Sequence, residues 1–190
     1  ITRFANAVAA DIRSSWDLEI YFIAYGSARI PPVISRPDNG VVVCYCWNGC
    51  NNHTFGSDDC SDYGNTMGFT NWEERYYFEA WSKITDKLFV WYYAYNFYYF
   101  VSPCPNILNL REDMRYLAEH GVDGVYLEGN GDSNKGFSFE PLKDYMMAQV
   151  AWNPYMTESE FQQHMDEFLE HAYGEGWGYI KEYLYLAEEA

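Results

Sequence analysis

Apolar and polar positions alternate along this chain in blocks whose period changes from helical to extended and back four times. From Thr2 to Trp16 the large apolar residues Phe4, Val8, Ile12 and Trp16 recur at a four-residue step, which predicts an amphipathic helix. Leu18 to Tyr25 reads as a strand ended by Gly26 and the Pro31-Pro32 loop. Gly40 precedes a second strand, Val41 to Trp47, which runs into a long Asn/Gly/Asp/Cys loop reaching Thr70. Asn71 with Glu74 three residues on predicts a capped helix start, and the helix continues to Thr85. The third strand is the apolar run from Leu88. Asn109 with Glu112 repeats the capping pattern for a helix to His120, and Gly121 marks its end. Val122 to Glu128 is the fourth strand. The rest is helical: Phe139 to Trp152, a helix capped by Thr157/Glu160 and broken at Gly174 and Gly176, and Ile180 to Ala187.

Strands alternating with helices predict an α/β fold of parallel βα units with right-handed crossovers. The segments leaving the strands are long and polar or aromatic, whereas the turns entering them are short, as at Asp86-Lys87 and His120-Gly121. That asymmetry puts function at the strands' C-terminal ends. No glycine-rich phosphate loop follows the first strand, which argues against a doubly wound nucleotide fold. A whole (β/α)8 barrel takes about 250 residues and eight strands. The expectation is therefore the C-terminal half of a TIM-type barrel, about four parallel strands equivalent to five to eight. Residues 1–152 form the half barrel and residues 153–190 a helical extension of the same domain.

Composition narrows the partners. Twelve basic against 28 acidic residues give a formal charge of −16. This excludes nucleic acid, whose phosphates call for clustered Lys and Arg, and disfavours polyanionic substrates. No apolar stretch approaches the roughly 18 residues of a membrane span. The sequence opens on Ile1-Thr2-Arg3, not Met, with no basic-then-apolar leader visible in it; a truncated start is expected, and the compartment is left open.

Candidate chemistry gathers at the strand ends. Eight of the ten positions from Trp91 to Phe100 are aromatic. Amphipathic rings at a fold's mouth suit a sugar, covering its apolar C–H face while hydroxyl and amide groups bond its rim. Tyr25, Trp47 and Trp91 are the candidate stacking or wall residues, and Asn130 in the Gly129-Asn130-Gly131 turn is a further contact. Glu128, ending the fourth strand, can accept bonds from hydroxyls or transfer a proton. Cys46, Cys50, His53 and Cys60 fall within 15 residues, a spacing open to a structural zinc site. Disulfides, which leave one of five cysteines over, and independent thiols also remain open. No organic cofactor is expected.

Three stretches resemble a known family: Asp38-Asn39-Gly40-Val41-Val42-Val43; Val90-Trp91-Tyr92-Tyr93-Ala94-Tyr95-Asn96-Phe97 with Pro103-Cys104-Pro105-Asn106; and Gly121-Val122-Asp123-Gly124-Val125 to Gly129-Asn130, followed by Ala151-Trp152-Asn153-Pro154 and Tyr173-Gly174. Their order and spacing resemble the domain of unknown function 4838, the defining part of glycoside hydrolase family 163. The resemblance implies a barrel acting on glycans that contain N-acetylhexosamine, in the manner of an endo-β-N-acetylglucosaminidase whose substrate acetamido group is the nucleophile. Tyr93 and Asn96 would then orient that acetamido group. The principal acid is expected at the end of strand four of the barrel, just upstream of this chain, so the missing N-terminal half is an implied partner. Relatives often carry Trp-Asp-Tyr in place of Trp91-Tyr92-Tyr93, and Glu-Gln-Gly in place of Leu127-Glu128-Gly129. Both departures move or remove a carboxylate and imply a divergent subgroup. A non-catalytic carbohydrate-binding module and a metal-stabilised interaction domain are the rival expectations.

Overall fold

The computed structural model describes residues 1–50, 53–57, 70–94, 106–129 and 139–188. Four strands, β1 (Ile20–Ala24), β2 (Val41–Cys46), β3 (Leu88–Tyr93) and β4 (Gly124–Glu128), form one parallel sheet in the order of the chain. Around it lie α1 (Thr2–Arg13), α2 (Asn71–Ser82), α3 (Leu110–Glu119), α4 (Glu140–Trp152), α5 (Glu158–Tyr173) and α6 (Trp177–Glu188). The crossover between β1 and β2 carries no α-helix, only a 3-10 turn at Gly26–Arg29.

Side-chain parity divides the sheet. Phe22, Val43, Tyr45, Val90 and Tyr92 join a single core cluster with residues from all six helices. Sequential parallel strands joined by crossovers of one hand put every crossover on the same side, and this core is the result. The alternate positions face the other way, where Tyr21, Ile23 and Tyr126 are each at least half exposed. Parallel sheets are ordinarily covered on both faces; among the described residues, this one is covered on one.

Several local expectations shift. The helix-wide stripe of α1 does not enter the core: Phe4 and Trp16 are 73% and 68% exposed, and the buried contacts are Ala5 and Ala9. Small side chains let the helix lie close to β1 and β2. Asn6 and Arg13 hold it there by donating to the carbonyls of Arg36 and Asn39. The helix also stops at Arg13, with Ser14 and Ser15 turning back on Asp11 and Ile12.

The capping box of α2 is set one residue earlier than expected. Thr70 accepts from the Glu73 N–H, and Glu73 reaches back to Thr70. Glu74 is thereby freed from the cap and buried. Asn109 makes no side-chain cap on α3, because its backbone (φ −78°, ψ −22°) is already helical and its amide cannot fold back. The Thr157/Glu160 box forms as expected and starts α5. No described helix is long and apolar enough to cross a membrane.

Candidate functional site

The strand ends on the open face converge. Register sets Cys46 beside Trp91, Trp91 beside Tyr126, and Tyr93 beside Glu128. Because side chains alternate, Cys44 and Cys46 share a face with Phe89, Trp91 and Tyr93, and with Tyr126 and Glu128. The Trp91 indole Nε1–H donates to Glu128 Oε2 at 2.5 Å, and its ring lies 4.1 Å from that of Tyr126. Tyr93 hydrogen-bonds the Cys46 sulfur and lies in the electrostatic field of Tyr25 and Glu128. Tyr25, one residue past β1 and 43% exposed, closes the row.

Below this rim is an apolar hollow of about 380 Å³ lined by Tyr21, Ile23, Cys44, Phe89, Trp91, Val125 and Tyr126, within the usual size range of small-ligand sites. Gly124 is part of its construction. A Cβ there would stand 2.4 Å from the Phe89 ring, so glycine lets that ring lie across β4. The lining rings Tyr21, Phe89 and Tyr126 were not among the expected site residues. The two-residue alternation of β3, counted back from Trp91, was the signal that could have placed Phe89 with them.

Burial sets the protonation of the rim. Removal from water, with Cys44 and Glu128 nearby, pushes the Cys46 thiol up to about 12. Desolvation also raises the Tyr93 phenol far above its ordinary value, reinforced by Cys46, Tyr25 and Glu128. Both groups are therefore neutral near pH 7. Tyr93 can donate or accept a hydrogen bond but does not act as a base, and Cys46 is not a nucleophile in this state.

Other expected residues lie elsewhere. Trp47 shares the parity of Tyr45 and turns to the helix side. It is 1% exposed, stacks on Phe55 at 3.9 Å and donates from Nε1 to Asn71 Oδ1 at 3.1 Å. It is a core residue, not a stacking platform on the rim. Cys50 Sγ and His53 Nδ1 are 3.3 Å apart in the loop after β2, whereas Cys46 faces Tyr93. Among the described residues, no three His, Cys, Asp or Glu side chains gather as a metal site would require. Cys60, Asn96 and Asn130 lie outside the described residues.

The sequence model of a family described as a domain of unknown function (DUF4838) matches residues 1–185. No curated protein and no solved structure matches the chain.

Proposed function

This chain belongs to the DUF4838 family, and from that premise we propose that its open sheet face is the inner wall of a glycan-binding (β/α)8 barrel, strands five to eight. Sequential strands, one helical side and an apolar uncovered face support the barrel reading. In this reading four further strands, from an N-terminal half, cover that face. The substrate class is an N-acetylhexosamine-containing glycan, as in the glycoside hydrolase family 163 enzymes that the sequence resembles.

The observation that carries the proposal is the meeting of Trp91, Tyr93 and Glu128 at neighbouring strand tips, with the indole N–H on the carboxylate. An indole beside a carboxylate offers a sugar what it needs: an apolar plate for its C–H face and an acceptor for its hydroxyls. Trp91 also fixes the Glu128 carboxylate through its N–H, so the acceptor is oriented before a ligand arrives. Tyr93, held neutral, supplies a phenol O–H to the acetamido oxygen. In substrate-assisted hydrolysis that oxygen attacks the anomeric carbon, and a fixed donor or acceptor on the amide sets its angle of approach. The general acid that protonates the leaving oxygen would come from the completing half.

The test is binding and turnover of a chitooligosaccharide and a complex N-glycan by the protein that contains this chain. Trp91→Ala and Glu128→Gln should each weaken binding by about ten-fold, the value of one stacked ring or one charged hydrogen bond. Tyr93→Phe should lower turnover more than binding. Unchanged affinity in both Trp91→Ala and Glu128→Gln would overturn the proposal. Binding that depends on these residues but is never followed by hydrolysis would identify a recognition module on the same site.

A further inference from the structure

Among the described residues, three ionisable side chains carried by α-helices are buried on the helix side of the sheet: Glu74 at 0%, Asp113 at 2% and Lys143 at 2% exposure. A buried charge must be matched by partners or it destabilises the fold, and the partners here follow a pattern. Glu74, on α2, takes the Arg29 guanidinium at 2.6 Å, the Tyr45 hydroxyl, and the Asn48 N–H. Asp113, on α3, takes the Phe55 N–H at 2.7 Å on one oxygen and the Tyr92 hydroxyl at 2.8 Å on the other. Lys143, on α4, donates to the Ala94 carbonyl at 3.0 Å and to Asn106 Oδ1 at 2.6 Å.

In each case the buried group belongs to the helix of one βα unit and grips the chain leaving the strand before it. Glu74 reaches from the helix after β2 to Arg29, which follows β1. Asp113 reaches from the helix after β3 to Phe55, which follows β2. Lys143 reaches from the helix after β4 to Ala94 and Asn106, which flank the segment following β3. The two acids also repeat one detail: each takes a tyrosine hydroxyl from the strand of its own unit, Tyr45 on β2 and Tyr92 on β3. Nothing in the spacing of the sequence announces this repeat.

We propose that Glu74, Asp113 and Lys143 are positioning residues, three separate ties that fix where the chain leaves β1, β2 and β3 and so set the rim of the candidate site. What the rim is for rests on the glycan reading; the ties themselves do not. Each tie spans two units, so adjacent units are locked to each other at their C-terminal ends. Each uses its own partners, so each is released on its own.

Amide hydrogen exchange of the full chain, read by mass spectrometry at fixed pH, tests this. Asp113→Ala should speed exchange around residues 54–57 by about ten-fold, as expected for losing a buried acceptor. Amides around residues 27–30 should stay within roughly two-fold of the parent. Glu74→Ala should give the reverse pattern. Asp113→Asn, whose amide oxygen can still accept from Phe55, should restore slow exchange at 54–57. Tyr92→Phe provides a milder release of the same tie if an alanine variant fails to fold, and should raise exchange there alone by several-fold. Exchange that rises across the whole chain in Tyr92→Phe, fails to recover in Asp113→Asn, or does not rise at all would overturn the proposal. No sugar enters the measurement, so its failure leaves the glycan reading standing, and failure of glycan binding leaves the ties standing.

Discussion

Asp113 offers the sharpest test of how burial and hydrogen bonding compete in this fold. Its carboxyl is pushed from 3.8 up to about 7: desolvation raises it and Glu112 adds to the rise, against the Phe55 N–H and Tyr92 O–H, which lower it. The folded protein therefore binds this proton more tightly than the unfolded chain does. Stability from this group is fully present below the unfolded value near 4 and is lost as pH rises through about 7. At 1.36 kcal/mol per pH unit the span corresponds to about 4 kcal/mol, an upper bound because a buried acid relaxes its surroundings. Glu74 and Glu188 are raised in the same direction, also by desolvation first, so the parent's slope is a sum. Asp113→Asn isolates one contribution, since it keeps the shape and an acceptor for Phe55 but cannot ionise. Urea unfolding of both proteins from pH 4 to 8.5 should show the stability of Asp113→Asn relative to the parent rising with pH by up to about 4 kcal/mol, and flattening above pH 8. A stability difference that stays constant across that range would refute the reasoning, because the carboxyl would then titrate alike in folded and unfolded chains.

Three further outcomes follow from local geometry. Gly124→Ala should destabilise the chain by about 1–3 kcal/mol in chemical denaturation, since the new methyl meets the Phe89 ring; pairing it with Phe89→Leu should recover part of the loss. Thr157→Ala should cost about 1 kcal/mol, because it removes the working cap of α5, whereas Asn109→Ala should change the thermal midpoint little, its side chain making no cap. Phe4→Ser and Trp16→Ser should alter the unfolding free energy by less than about 0.5 kcal/mol, while Ala9→Leu should cost about 1–3 kcal/mol, reversing the ranking that side-chain size suggests.

Element types and order were legible from periodicity, and the reason is local. The apolar run at Val41–Cys46 and the turn at Gly121 carry their signals within a few residues. The face that a helix buries is not local in the same way. The stripe expected from Phe4 to Trp16 has the stronger pattern, yet the helix stops at Arg13 and Ala5 and Ala9 make the contact, because distance to the sheet is fixed by the neighbours Asn6 and Arg13 bind. The same limit explains Glu74. A Glu three residues after Asn71 has the spacing of a cap, but Thr70 and Glu73 form that box, and Glu74 becomes the partner of Arg29, 45 residues earlier in the chain. The rim was readable at Trp91, Tyr93 and Glu128, where strand ends could be counted. It was misread at Trp47 because an aromatic at a strand end carries no sign of which face it takes until the register is known.

Parity then gives the strand tips two kinds of aromatic residue with opposite duties. On β2 and β3 the rings at Tyr45 and Tyr92 turn to the helices, where their hydroxyls complete the buried acids Glu74 and Asp113. Their sequence neighbours Cys46, Trp91 and Tyr93 turn to the open face, where the indole holds Glu128 and the phenol meets a thiol. A one-residue slip of β2 would turn Tyr45 away from Glu74, and a slip of β3 would turn Tyr92 away from Asp113 and the indole away from Glu128. The ties on the helix side thus also protect the rim's register. They do so because a one-residue slip of β2 or β3 takes one hydrogen-bond donor from a buried acid, a cost of about 1–3 kcal/mol. A site that must present a fixed donor and a fixed acceptor to a ligand needs that kind of alignment, and the crowding of tyrosine and tryptophan at these strand ends is accounted for by both faces together, not by ligand contact alone.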